Sequence, residues 1–305
     1  MSHPTAGTAP TTTPTSFLLR FAWLSVFAAL ATVVIKGVAA SLTGSVGLLS
    51  DAMESCVNLV AAVVALWALR LSDKPADHNH DFGHGKAEYV SSAVEGALIF
   101  VAAAAIIVSA IRRFLVPEPV EELGLGLALS VGASVLNGVV GLVLIRTGKK
   151  HRSITLEADG RHLLTDVITS VGVIVGIGLI LLTGWQVLDP IVAIIVGLNI
   201  LVTGYKLVRR SIVGLLDAAL PPEEVAAIRG AIDQQGGQEV ELVDLRTRES
   251  GRQRFVQATI VVPGDWTVQR SHDVADAVED AVDRELPGTQ TVVHIEPAPT
   301  SENVR

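Results

Sequence analysis

Residues 156–170, LEADGRHLLTDVITS, decide how this chain is read. The stretch opens a long apolar span, yet it carries Asp159, His162 and Asp166. His162 and Asp166 are four apart, so on a helix they lie on one face. A neutral imidazole beside a carboxylate is a transition-metal ligand pair, and its cost in hydrocarbon requires a function. A second apolar span holds Asp51, Glu54 and Asn58, with Glu54 and Asn58 again four apart. Two such pairs on two helices make a four-donor site inside a bilayer.

Working outward, the chain of 305 residues is 50% hydrophobic with a mean hydropathy of +0.50, which marks an integral membrane protein. A membrane helix needs about 20 mostly apolar residues. Six stretches qualify: 17–42, 45–71, 89–115, 123–145, 154–182 and 188–208. The first two are separated by a short Thr43-Gly44 turn and read as a tight hairpin. Gly184 and the Asp189-Pro190 pair mark the turn between the fifth and sixth. Arg70, Lys74 and Lys86 flank the second loop, and Arg146, Lys149, Lys150 and Arg152 fill the fourth. Lys206, Arg209 and Arg210 follow the last span, whereas the first and fifth loops have no Lys or Arg. The positive-inside bias predicts both termini in the cytoplasm, in an inner (plasma) membrane.

The formal charge of −8 falls wholly on residues 222–305, which hold 16 acidic and 8 basic residues. A separate polar domain follows, and its acidic balance argues against nucleic-acid binding. Its pattern predicts a helix over 222–235, strands over 240–248 and 254–262, a helix over 268–286 and a strand over 291–296. The order αββαβ is a two-layer α+β domain with helices on one face of a sheet. The predicted organisation is a disordered tail over 1–16, a six-helix membrane domain over 17–210 and a linker over 211–221. The αββαβ domain spans 222–298 and a second disordered tail 299–305. Cys56, the one cysteine, excludes disulfides and thiolate metal clusters, and reads as a small buried core residue.

Four carboxylates and a histidine exceed what helix–helix polar contacts need, for which Ser, Thr and Asn suffice. Glu54, Asn58, His162 and Asp166 are the expected metal ligands. One nitrogen and three oxygens suit Zn²⁺ and are acceptable to Mn²⁺ or Fe²⁺. Asp51 and Asp159 each precede the first ligand of their helix by three residues and are expected behind the ligands. Lys36, near a span end, is expected to snorkel. Glu95 is expected to face the interior or a water path, and Asn137 and Asn199 to be packing residues. The loop DKPADHNHDFGHGKAE, residues 73–88, offers Asp77, His78, His80, Asp81 and His84, and its density of histidines points toward metal. In the polar domain, His294 and Glu296 alternate by two and share a sheet face, while His272 sits on the second helix.

With these positions assembled, the chain resembles the cation diffusion facilitator family, divalent metal efflux transporters of the bacterial zinc and iron type. The likeness rests on GSVGLLSDAMES in the second span, PADHNHDFGHGKAE after it and HLLTD in the fifth. LLDAALP after the sixth span and DLRTRESG in the polar domain extend it from about residue 17 to 297. The resemblance implies a homodimer exchanging cytoplasmic divalent metal for protons by alternating access, with Glu54, Asn58, His162 and Asp166 as the transport site. It implies a loop site at Asp77, His80 and His84, and a charge interlock between Lys86 and Asp217. The C-terminal part is similar to the family's metallochaperone-like dimerisation domain.

Two departures qualify it. The family usually has Asp or His, then Asp, where this chain has Glu54 and Asn58. A neutral amide keeps an oxygen donor and removes a charge, which favours oxygen-liking Mn²⁺ over Zn²⁺ or Fe²⁺. Val243 and Thr259 stand where zinc members have histidines, leaving His272, His294 and Glu296 to hold a single weak ion or none. Metal is expected as substrate and regulator, not as a cofactor. The unperturbed imidazole pKa of ~6.5 would put His162 proton exchange near working pH. A bilayer-embedded metalloprotease would need an HExxH-like helix or a nucleophile beside a base, and a signalling receptor a partner-binding module. The sequence shows neither.

Overall fold

The computed structural model describes residues 15–43, 46–115, 125–185, 187–237 and 239–298. The expected tails therefore lie almost entirely outside the described residues, as do most of the first turn and the acidic third loop. Thr15–Val213 and the chain from Gly214 onward form two units.

The first unit contains six helices: α1 (Thr15–Thr43), α2 (Val46–Ser72), α3 (Ala87–Leu115), α4 (Leu125–Lys150), α5 (Ile154–Thr183) and α6 (Leu188–Leu215). All but α5 carry a described stretch long and apolar enough to cross a membrane. Glu157, Asp159, Arg161 and Asp166 crowd the first half of α5, and much of its apolar second half lies outside the described side chains. The helix α6 runs on to Leu215, past residue 210 where a linker was expected. Apolar Ile212 and Val213 extend the same helix until Asp217, at φ 58°, turns the chain left-handed and ends it. Between α4 and α5, Arg152 takes φ 57° and the Ser153 amide bonds back to the Gly148 carbonyl at 2.9 Å, closing the helix end.

One core joins α1, α2, α4 and α5 through Leu18, Ala22, Leu66, Leu69, Val140, Leu144, Leu156 and Leu163. A second gathers Ile99 and Ala103 of α3 with Ile200 and Leu207 of α6 against Ala158 of α5. Hydrocarbon offers no hydrophobic drive between helices, so close backbone approach matters. A Cβ on Gly160 would meet the Gly141 carbonyl at 2.7 Å and the Ile145 amide at 2.9 Å. Glycine at 160 and 141 is thus what seats α5 on α4, between Asp159 and His162.

Two sequence expectations are corrected here. Lys36 is 3% exposed, because the helix carries it inward rather than to a span end. Cys56 is exposed, on the α2 face that also presents Met53, Val57 and Val60. Three and four residues separate these positions, so the whole stripe points away from the core.

The second unit contains α7 (Pro222–Gly236), β1 (Glu241–Ser250), β2 (Gln253–Val262), α8 (Val268–Glu285) and β3 (Thr289–Pro297). The sheet order is β1-β2-β3, with β1 antiparallel and β3 parallel to β2. Gly251, at φ 61°, makes the β1–β2 turn, and the β2–α8–β3 crossover gives the parallel pair. Pro at its first turn and Glu223 and Glu224 start α7, and the Thr267 hydroxyl caps α8 by accepting from the Arg270 amide at 3.2 Å. Ile228 and Ile232 of α7 and Val278 and Val282 of α8 close over Val256, Ala258, Ile260 and Val262 of β2. Arg254 grips Glu224 with two hydrogen bonds of 3.0 and 3.1 Å, fastening β2 to α7.

Candidate metal centre

The polar positions of α2 and α5 meet in the first core. Asn58 is 4%, His162 5% and Asp166 8% exposed, so water reaches none of them freely. The Asn58 Nδ2 donates to Asp166 Oδ2 in a very short contact. The other end of the same amide, Oδ1, lies 2.6 Å from His162 Nε2. A carboxylate oxygen only accepts, so the amide must face it with NH2 and face the imidazole with its carbonyl. His162 Nε2 therefore carries the hydrogen here, and its buried Nδ1 has no hydrogen-bond partner. A metal bound at Nε2 would have to break the amide clamp and shift the ring hydrogen to Nδ1.

Three of the four expected ligands are thus joined directly. Glu54 sits one turn before Asn58 on the same helix and is exposed in the single chain. The side chain of Asp51 lies outside the described residues. Asp159 is 2% exposed with its Oδ2 lacking a hydrogen-bond partner, and it is set one turn before His162 on α5. Sequence reasoning missed Asn137. Its Nδ2, on α4, reaches Asp166 Oδ2 at 3.4 Å, so it stands behind an expected ligand rather than serving as packing alone. An isolated Asn in an apolar span carries no spacing signal, and only the α4–α5 seam brings it to Asp166.

The α2–α3 loop forms a second cluster. Donor atoms of Asp77, His80 and His84 lie within 4.8 Å of one another. Asp77 Oδ1 accepts from the backbone amides of Asn79 (3.0 Å) and His80 (2.9 Å), and lies 3.3 Å from His80 Nδ1. Its other oxygen, Oδ2, is 3.5 Å from His84 Nε2. His84 Nδ1 faces the Lys74 carbonyl at 3.4 Å, which orients the ring and turns Nε2 toward the cluster. The Asn79 amide, foremost, and the His80 contacts hold the Asp77 carboxyl below the usual carboxylate range. Gly83, at φ 76°, makes the turn that returns His84 to the site. His78 and Asp81 are outside the trio.

The third expected site does not assemble within one chain. His272 pairs with Asp276 at 3.5 Å on α8, and His294 with Glu296 at 3.6 Å on β3. Val293 and Ile295 point into the core beneath the helices, so His294 and Glu296, on alternate positions, face the opposite side of the sheet from α8. The sheet itself separates the two pairs. Asp217 accepts from Arg248 at 3.4 Å inside the second unit, whereas Lys86 belongs to the first.

A family description, the cation efflux transmembrane domain, matches residues 22–216, and a second, the cation efflux protein cytoplasmic domain, matches 220–298. The chain belongs to the cation efflux, or cation diffusion facilitator, family. It is 50% identical over 277 residues to "Uncharacterized transporter sll1263" of Synechocystis sp., covering 91% of this chain and 89% of that protein. It is 31% identical over 255 residues to "Cation-efflux pump FieF" of Citrobacter koseri, covering 84% of each. The corresponding pump of Klebsiella pneumoniae is 32% identical over 258 residues, 84% of this chain and 85% of that protein. As a member of this family the protein is a multi-pass membrane transporter of divalent cations, not an enzyme, with a transmembrane helical domain and a cytoplasmic α+β domain.

Proposed function

We propose that the protein exports divalent transition-metal cations, Mn²⁺ foremost with Zn²⁺ and Fe²⁺ behind it, from the cytoplasm in exchange for protons, working as a homodimer with both termini cytoplasmic. The buried Asn58–His162–Asp166 cluster carries this reading. It sets one nitrogen and several oxygen donors on two facing helices of a cation efflux domain, with Glu54 one turn away. A metal at His162 Nε2 takes the lone pair of a neutral ring whose hydrogen moves to Nδ1. A proton added to the ring or to the Asp166 carboxylate removes a donor from the metal. Metal and proton then compete for one set of atoms, which is coupling by linkage. Asn58 supports the lean toward Mn²⁺, since it gives oxygen without charge where softer Zn²⁺ profits more from a carboxylate.

The loop trio is proposed as a second binding point for the cargo, and the Lys86–Asp217 interlock as a fastening near the dimer seam. His272, His294 and Glu296 would hold at most a weak ion, completed by a partner chain. The test is flux in proteoliposomes loaded with Mn²⁺, Zn²⁺ or Fe²⁺ indicators under an imposed pH gradient. Mn²⁺ movement that follows the gradient's direction is the expected result, and N58D should shift preference from Mn²⁺ toward Zn²⁺ by about tenfold. Flux indifferent to the pH gradient would remove the antiport reading, and N58D without effect on preference would remove the lean toward manganese.

A further inference from the structure

The metal cluster leaves a second polar group in the membrane domain unexplained. Glu95 of α3 is 0% exposed and neither of its carboxylate oxygens has a hydrogen-bond partner. Asp159 of α5 is the charged group acting on it, and Asp159 Oδ2 is itself unpartnered. The Ser91 hydroxyl lies beside Glu95 and the Ser25 hydroxyl beside Asp159, both fully sequestered, and neither makes a hydrogen bond of normal geometry. Five oxygen atoms on three helices are thus orphaned together. Gly96 lets Val208 of α6 press against α3 here, at 2.9 Å from where a Cβ would stand, which shuts out solvent.

Among the described residues, no Lys, Arg or His is a charge acting on either carboxyl. The nearby arginines are spent elsewhere, Arg161 and Arg210 holding Glu157 at 2.7 and 2.8 Å. Two buried carboxylates without a counter-charge carry a large desolvation penalty. One proton would remove one of the two charges and, shared as a hydrogen bond, satisfy two of the five oxygens. A divalent cation neutralises both charges and takes the hydroxyls as well, and a donor set made only of oxygen selects a hard ion.

We propose that Glu95 and Asp159, with the Ser25 and Ser91 hydroxyls, bind a hard divalent cation of the Mn²⁺ or Mg²⁺ class at an all-oxygen station. It stands one helical turn along α5 from the Asn58–His162–Asp166 cluster. Asp159 lies nearer the start of α5 than His162, and Glu95 is eight residues into α3. An ion entering from the end of the domain that bears the Asp77 loop would therefore meet this station first. The assignment concerns binding and stands or falls without any measurement of flux.

The test uses full-length protein carrying H84A, H162A and D166A, which strips donors from the loop and the buried cluster. Free Mn²⁺ is read by electron paramagnetic resonance during titration. One bound Mn²⁺ per chain is expected to remain, and to weaken by at least ~30-fold on adding E95Q and equally on adding D159N. S91A should weaken it by only a few-fold, as loss of a neutral donor. Each variant is checked for a monodisperse elution profile, and D159N carries the test if E95Q does not fold. Absence of bound Mn²⁺ in the triple variant overturns the proposal. So does bound Mn²⁺ that ignores the folded carboxylate variants.

Discussion

The buried cluster of α2 and α5 and the exposed trio of the α2–α3 loop use the same side-chain types in opposite ways. In the membrane domain, Asn58 clamps His162 and Asp166 to each other, and these three are almost fully buried. In the loop, Asp77 and His80 are open to solvent, and backbone amides rather than another side chain organise the carboxylate. A buried donor set left unsatisfied when empty pays the desolvation of its polar groups, and the Asn58 clamp spares this cluster most of that cost. That satisfaction makes metal entry a replacement reaction with a proton to be moved. An exposed set is hydrated when empty, so it binds without rearranging a helix. Exchange coupled to protons is proposed for the first kind of site, and capture for the second.

The sharpest way to break this contrast is to remove its buried half. His162→Ala and Asp166→Ala are each expected to lower metal flux in proteoliposomes by more than ~100-fold while the protein stays folded. Retained flux in both would detach transport from the cluster. Next in size is Gly160→Val, which drives a side chain into the Gly141 carbonyl and the Ile145 backbone. It should cost more than ~2 kcal/mol, seen as a lowered unfolding midpoint, and should part Asn137 from Asp166. A variant as stable as the parent would mean that the seam does not depend on close approach.

Smaller effects sharpen the comparison. Asn137→Ala leaves every ligand in place but frees Asp166 Oδ2 from one donor. Metal affinity measured by calorimetry should fall about tenfold, and no change would return Asn137 to simple packing. Asp77→Asn is expected to leave flux at saturating metal within about twofold while weakening capture at low metal. The loop also predicts its own acid behaviour. Asp77 titrates below its unfolded value, so its contribution to loop order is present above the usual carboxylate range and lost only as pH falls through the lowered value. The Asn79 and His80 amide signals should thus hold their positions down through that range, and their loss well above it would show that the carboxylate does not organise the loop.

Much of this was legible in residue order because the bilayer restricts the choices. Runs near 20 apolar residues can only be helices there, and the i, i+4 spacing of His162 and Asp166 survives any packing arrangement. The period-two pattern of the second unit likewise located β1, β2 and β3 to within a few residues. Local chemistry read well in the loop too, where Asp77, His80 and His84 are close in sequence and meet through short-range turns.

The residue order by itself determined the two-part organisation, the helices, the strands and the identity of the polar residues that apolar spans must accommodate. Periodicity and hydrophobicity act along the chain, so they are written in it. Tertiary structure alone decided which of those residues meet. It brought Asn137 across the glycine seam to Asp166, buried Lys36, turned Cys56 outward and set the sheet between His272 and His294. It also placed Glu95 where the charge of Asp159 acts on it, a pairing of positions 64 apart that no local pattern encodes. Contacts of that kind depend on helix rotation and close backbone approach, and those follow from packing the whole unit at once.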